Sequence, residues 1–141
     1  MMNRAISTLV ILILASAIVA CQSALASQDH TGPSIDHIEA SAKVLAKSDC
    51  LNTSETVTAD ITDESGIKQA VLWYRVGADQ KYTPTEMSLA GNKYRATVKA
   101  LDVPGGEYGI WEFYITAEDQ AGNKSQSALD TSVQLLPCVG S

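Results

Sequence analysis

Apolar and polar residues alternate with a period of two along most of this chain after residue 34, and short runs of turn-forming residues interrupt them. Residues at this period point to opposite faces of a strand, so the pattern predicts half-buried β-structure. Ile35 to Glu39 fits a first strand, although Glu39 to Lys47 fits a short helical turn equally well. Glu55 to Thr62 places Val57, Ala59 and Ile61 on one face and Thr56, Thr58 and Asp60 on the other. After the turn Asp63-Glu64-Ser65-Gly66, Ile67 to Val76 sets Leu72, Tyr74 and Val76 against Val71, Trp73 and Arg75. Tyr82 to Met87 contains Pro84, which lacks an N–H for the ladder and so suits an edge. Tyr94, Ala96 and Val98 share a face of the next strand, which ends before Pro104-Gly105-Gly106. Tyr108 to Glu118 is the strongest signal, with Trp111, Phe113, Ile115 and Ala117 in phase. The turn Asp119-Gln120-Ala121-Gly122-Asn123 follows, and Ser125 to Leu136 closes the set with Val133 and Leu135 in phase.

About seven short strands at this spacing, with no long stretch of helical period, predict an all-β fold. The expectation is a single domain over residues 34–141, in which two antiparallel sheets form a sandwich around one core.

The N-terminus has a different pattern. Arg4 precedes a run, Ala5 to Ala20, that is apolar apart from Ser7, Thr8 and Ser16. It has the length of a secretory h-region and is short of the roughly 20 apolar residues of a spanning helix. Ile18-Val19-Ala20-Cys21 resembles the lipobox of a bacterial lipoprotein. The resemblance implies removal of residues 1–20 and attachment of fatty-acyl chains such as palmitate to Cys21. Gln22 follows where an aspartate would favour inner-membrane retention, which implies the outer membrane. Residues 21–33 then form the lipidated cysteine and a small, polar, flexible tether. A rival site, Ala24-Leu25-Ala26 before Ser27, fits ordinary signal peptidase and would release a periplasmic or secreted protein.

Without the leader, about 120 residues remain, enough for one core. Only Arg4 of the ten basic residues lies in the leader, so nine face 16 acidic residues, a net charge of −7. Such a chain repels phosphate backbones, and no Lys/Arg cluster is interleaved with aromatics, which excludes nucleic acid as a partner. The partners expected are the membrane, through the lipid, and a protein or glycan ligand.

Asp63-Glu64-Ser65-Gly66-Ile67, the strand Val71 to Val76, then Met87, Tyr94 and Ala96, and the run Phe113 to Asn123 together resemble bacterial immunoglobulin-like or fibronectin type III-like modules. Those modules show a D-x-S-G turn, a Y-R strand and an A-x-D-x-A-G-N hairpin. The resemblance covers about residues 53–136 and implies the sandwich fold, which hosts many unrelated roles. The inter-sheet disulfide of antibody domains has no counterpart, since neither strand 67–76 nor strand 108–118 contains cysteine.

Three cysteines are present, Cys21, Cys50 and Cys138. If successive strands reverse direction, the second starts at the pole where the last ends, which brings Cys50 and Cys138 together. A disulfide there closes nearly the whole domain, and a loop of that length stabilises by roughly 4 kcal/mol in the chain-entropy account. The spacing matches no zinc or redox motif.

Chemistry-bearing residues are sparse. His30 and His37, the two histidines, flank the tether. No G-x-S-x-G, S-x-x-K, P-loop or G-x-G-x-x-G motif occurs, and Asp63-Glu64 and Glu118-Asp119 sit in turns or at strand ends. Neither an enzyme nor a cofactor is expected. Asp60, Asp63, Asp119 and Asn123 offer oxygen ligands for calcium, although Asp and Asn are also ordinary turn formers. The sequons at Asn52 and Asn123 have no use in a bacterial lipoprotein. Trp73 and Tyr114 fall opposite the core stripes and form a candidate aromatic binding face, unless the Tyr82 region covers them. The function expected is non-catalytic: a cell-envelope interaction or accessory module for a protein partner, or alternatively a carbohydrate-binding module.

Overall fold

The computed structural model describes residues 29–47, 52–103 and 108–137. The leader, Cys21, Cys50 and Cys138 lie outside these residues. Among the described residues, no helix is long and apolar enough to cross a membrane.

Ten strands form two packed sheets. They are β1 (Ser34–Ala40), β2 (Val44–Ala46), β3 (Ser54–Thr62), β4 (Ile67–Val76), β5 (Thr83–Glu86), β6 (Ser88–Ala90), β7 (Lys93–Lys99), β8 (Gly109–Asp119), β9 (Lys124–Gln126) and β10 (Asp130–Leu136). One sheet has the order β1-β3-β7-β6. The other runs β2-β10-β8-β4-β5, with β9 added to β8. The all-β sandwich expected from the alternation is therefore present.

Three places turn the expected seven strands into ten. Residues 41–43 carry the chain from the four-stranded to the six-stranded sheet, where β2 pairs in parallel with β10. The helical turn considered for residues 39–47 is thus a strand switch. Met87 makes the return crossing, since β5 belongs to the six-stranded sheet and β6 to the other. Its side chain is buried and its N–H donates to Ala70 O at 2.9 Å. The final strand divides at residues 127–129 into β9 and β10, which lie on β8 at different registers.

The alternating stripes build the core. Val57, Ala59 and Ile61 of β3, Ala96 and Val98 of β7, and Leu72, Tyr74 and Val76 of β4 face inward. Trp111, Phe113, Ile115 and Ala117 of β8 and Val133 and Leu135 of β10 meet them. Wholly buried Trp111 and Phe113 have ring centroids 4.8 Å apart. Burying aromatic and aliphatic side chains of this kind contributes about 1.5–3 kcal/mol each.

The switch at residues 41–43 is secured by Glu55, which is fully buried. Its Oε1 accepts from Ser41 Oγ at 2.7 Å and from Ala42 N at 3.0 Å. Near it, Ala46 N donates to Asn52 O at 2.8 Å, and Ala46 stands opposite Leu136. The start of β3 and the end of β10 therefore share a pole, as the strand count predicted. At the other pole, the β3–β4 turn and the β8–β9 hairpin are joined by Gln120 N donating to Gly66 O at 2.9 Å. Gly66 and Gly122 hold φ of +87° and +93°, conformations that favour glycine in tight turns.

Candidate functional site

Two regions collect polar chemistry: the outer face of the six-stranded sheet and the pole at the β8–β9 hairpin.

On the outer face, the β4–β8 register sets Arg75 opposite Glu112, Trp73 opposite Tyr114 and Val71 opposite Thr116. Side chains directly opposite on one face interact, and here the first pair is matched in charge and the second in aromatic character. Arg75 Nε donates to Glu112 Oε2 at 2.7 Å, and its Nη1 donates to Ala78 O at 2.9 Å. The guanidinium also lies 4.4 Å from the Tyr82 ring centroid, a cation–π contact. The hydrogen bond to Glu112 raises the Arg75 pKa despite desolvation. Burial pushes the Tyr82 phenol up, and Glu112, to which Tyr82 OH donates at 3.3 Å, adds to the rise.

Trp73 and Tyr114, both half-buried, lie with ring planes 11° from parallel and centroids 6.2 Å apart. Tyr82 packs edge-on against Tyr114 at 4.9 Å. The two proposed face residues are thus brought together, but the Tyr82 segment covers one flank of Tyr114. Trp73 remains available. Its Nε1 donates to Thr116 Oγ1 at 2.9 Å, which fixes the indole over β8. Beside it opens a depression of about 600 Å³. Val71, Trp73, Thr116 and Pro84 line it, as do Gln69, Glu118, Lys124 and Gln126. Glu118 is the one carboxylate in that lining. It pairs with Lys68, and with Lys124 at 3.2 Å, and the hydrogen bonds from Lys68 and then Lys124 hold its carboxyl below the usual range. A carboxylate held ionised by two ammonium groups is poorly suited to donate a proton to a substrate.

At the pole, the structure gathers three of the four calcium candidates, Asp63, Asp119 and Asn123. Asp63 and Asp119 lie together, while Asp60 does not. Asp60 projects outward from β3, 3.1 Å from His37 Nδ1 and 3.8 Å from Lys93 Nζ. His37 sits at the bulge of β1 with φ of +47°, not in the tether. His30 is exposed. Asp29, absent from the sequence-derived set, takes the place of Asp60. Carboxylate oxygens of Asp29, Asp63 and Asp119 lie within 4.8 Å of one another.

Each carboxylate is oriented by neutral donors. Asp63 Oδ1 accepts from Ser65 N at 2.8 Å and Ser65 Oγ at 2.7 Å, an Asx-turn. Asp119 is fully buried; its Oδ1 accepts from Asn123 N and its Oδ2 from Asn123 Nδ2, both at 2.8 Å. Burial pushes the Asp119 carboxyl up, but hydrogen bonds from the Asn123 side chain and from the backbone of Asn123, Gly122 and Ala121 outweigh it and leave the pKa below its ordinary value. Asn123 Nδ2 also faces Asp29 O at 3.1 Å and Thr31 O at 3.3 Å. Residues 29–33, expected as the end of the tether, therefore lie against the hairpin. At Gly32 a Cβ would stand 2.8 Å from Lys124 O, so only glycine permits this approach.

No protein-family model matches the chain, and no curated protein is significantly similar to it.

Proposed function

We propose that this chain is a non-catalytic lipoprotein of the bacterial cell envelope, and that its immunoglobulin-like sandwich binds a protein partner through the outer face of the six-stranded sheet. The observation that carries the binding reading is Trp73. It is an indole fixed by Thr116 beside a depression of about 600 Å³, with apolar lining from Val71 and Pro84 and a polar rim. An aromatic anchor in a partly apolar recess surrounded by polar groups is the usual composition of a protein-binding hot spot. The Arg75–Glu112–Tyr82 network stiffens one side of this face, which limits the ordering cost of binding.

The immunoglobulin-like assignment is supported by strand order. Sheets β1-β3-β7-β6 and β10-β8-β4 follow the ABED and GFC arrangement of that fold, with β5 extending the second sheet as in variable-type domains. The anchor rests on Arg4, the apolar run to Ala20 and the lipobox ending at Cys21, and the outer-membrane location on Gln22. A glycan ligand is the second reading. It is favoured by the amides of Gln69 and Gln126 beside the indole, since sugars stack on aromatic rings and hydrogen-bond planar polar groups.

Trp73→Ala tests both. A photoreactive residue at exposed Gln69 should crosslink to one envelope protein in cells, and Trp73→Ala should abolish the adduct while circular dichroism stays unchanged. Quenching of Trp73 fluorescence by soluble envelope polysaccharide, with no protein adduct, would favour the glycan. Neither response would sink the outer face as a binding surface.

A further inference from the structure

The three-carboxylate cluster lies outside the proposed binding face, and its members come from separate parts of the chain. Asp29 precedes β1, Asp63 lies in the β3–β4 turn and Asp119 ends β8. We propose that Asp29, Asp63 and Asp119 bind one divalent cation, calcium by their chemistry, which clips the N-terminal stretch to the pole of the sandwich.

Geometry is the first support. Calcium takes oxygen ligands at about 2.3–2.6 Å, so two ligands of one ion stand no more than about 5 Å apart. The three carboxylate oxygens lie within 4.8 Å of one another. All are hard oxygen donors, and no imidazole or thiolate among the described residues joins the group. That composition suits calcium or magnesium rather than a transition metal.

An unsatisfied atom is the second, independent support. Asp29 Oδ2 exposes less than 1 Å² and has no hydrogen-bond partner. The other oxygen, Oδ1, accepts from Thr31 N at 2.9 Å. A carboxylate oxygen withdrawn from water without a partner is costly, and native proteins almost always satisfy such atoms. Beside Asp29 stand two more carboxylates, one of them fully buried. Among the described residues, no lysine, arginine or histidine forms an ion pair with any of the three. Hydrogen bonds from Thr31, Ser65 and Asn123 orient the carboxylates but bring no positive charge. A cation among them supplies both the missing partner and the missing charge.

The consequence is mechanical. Asn123 already holds the carbonyls of Asp29 and Thr31, and Gly32 lets the stretch approach the hairpin. A cation would turn this neutral seam into an ionic one and fix the direction in which the chain leaves the domain.

The test is a calorimetric titration of calcium into the full-length protein, purified as its producing cell processes it and stripped with EDTA. Single-site binding with a Kd between about 10⁻⁴ and 10⁻³ M is expected, the range of extracellular modules. The melting temperature should rise with calcium concentration. Asp29→Asn keeps the acceptor for Thr31 and should weaken calcium binding at least about tenfold, with the stripped protein still folded; Asp63→Asn should do the same. Asp79→Asn, outside the cluster, should bind as the wild type does. Absence of binding to a folded protein at 10 mM calcium, a value set at about ten times the weakest expected Kd, would overturn the proposal. So would wild-type affinity in both Asp29→Asn and Asp63→Asn. A melting temperature that rises on acidification from neutral pH while calcium has no effect would also overturn it, because a shared proton would then be balancing the charge.

Discussion

Two acidic residues, Glu55 and Asp119, sit in the core phase of their strands. Glu55 is in register with Val57, Ala59 and Ile61, and Asp119 with Trp111, Phe113, Ile115 and Ala117. Both are fully buried, although the sequence pattern puts Asp119 in a turn and does not assign Glu55 to the core face; the alternation, extended by one step in each strand, reaches them. The same parity turns Asp60 to the outer face of β3, out of the cluster that the other calcium candidates form. Their burial has testable consequences. Glu55→Ala leaves Ser41 Oγ and Ala42 N without their acceptor and should cost about 3 kcal/mol of unfolding free energy. Glu55→Gln keeps an acceptor and should lose less, an order that urea denaturation will read. For Asp119 the folded pKa is depressed, so ionisation favours the folded state. That stabilisation is present above the unfolded value of about 3.9 and is lost as pH falls through the lower folded value. In EDTA, the melting temperature of Asp119→Asn should therefore fall less on acidification from about pH 5 to about pH 2.5 than that of the wild type. An equal fall in both proteins would assign the acid sensitivity to other carboxylates.

Long elements were legible and short ones were not, for a physical reason. β3, β4 and β8 each span at least four repeats of the two-residue period, so their inward faces could be read directly. β2 and β6 have three residues each, too few to express a period, and their existence depends on neighbours distant in sequence. Asp29 was missed for the same reason, since its partners lie on turns 34 and 90 residues further along. The paired strands also constrain glycines that composition alone would treat as turn formers. Gly109 opens β8 with φ of +151°, and a Cβ there would stand 2.9 Å from Val76 Cγ1. Gly109→Ala should destabilise the β4–β8 pair by about 2 kcal/mol, measurable by thermal unfolding. At the pole, Gly32→Ala should lift the N-terminal stretch without unfolding the sandwich. Limited proteolysis should then cut near residues 29–33 faster than in the wild type, with the melting temperature little changed.

At the scale of the whole molecule, the sandwich and its sequence-derived attachments have to agree in geometry. The start of β3 and the end of β10 meet at Ala46, Asn52 and Leu136, so the segments leading to Cys50 and Cys138 leave from neighbouring points. The N-terminal stretch leaves from the opposite pole, at the β8–β9 hairpin. If Cys21 carries the lipid, eight residue steps separate the anchor from Asp29. At about 3.5 Å per extended residue, the acidic pole then lies within roughly 28 Å of the bilayer. The intact mass of the protein from its native membrane fraction, before and after reduction, decides this arrangement. The expected mass begins at Cys21, includes acyl chains and gains two hydrogen atoms on reduction. A lipid-free mass beginning at Ser27 would detach the domain from the membrane and make its partners soluble. A lipidated mass unchanged on reduction would leave Cys50 and Cys138 as free thiols, and the packed core would then have to hold the fold without a covalent closure of the far pole.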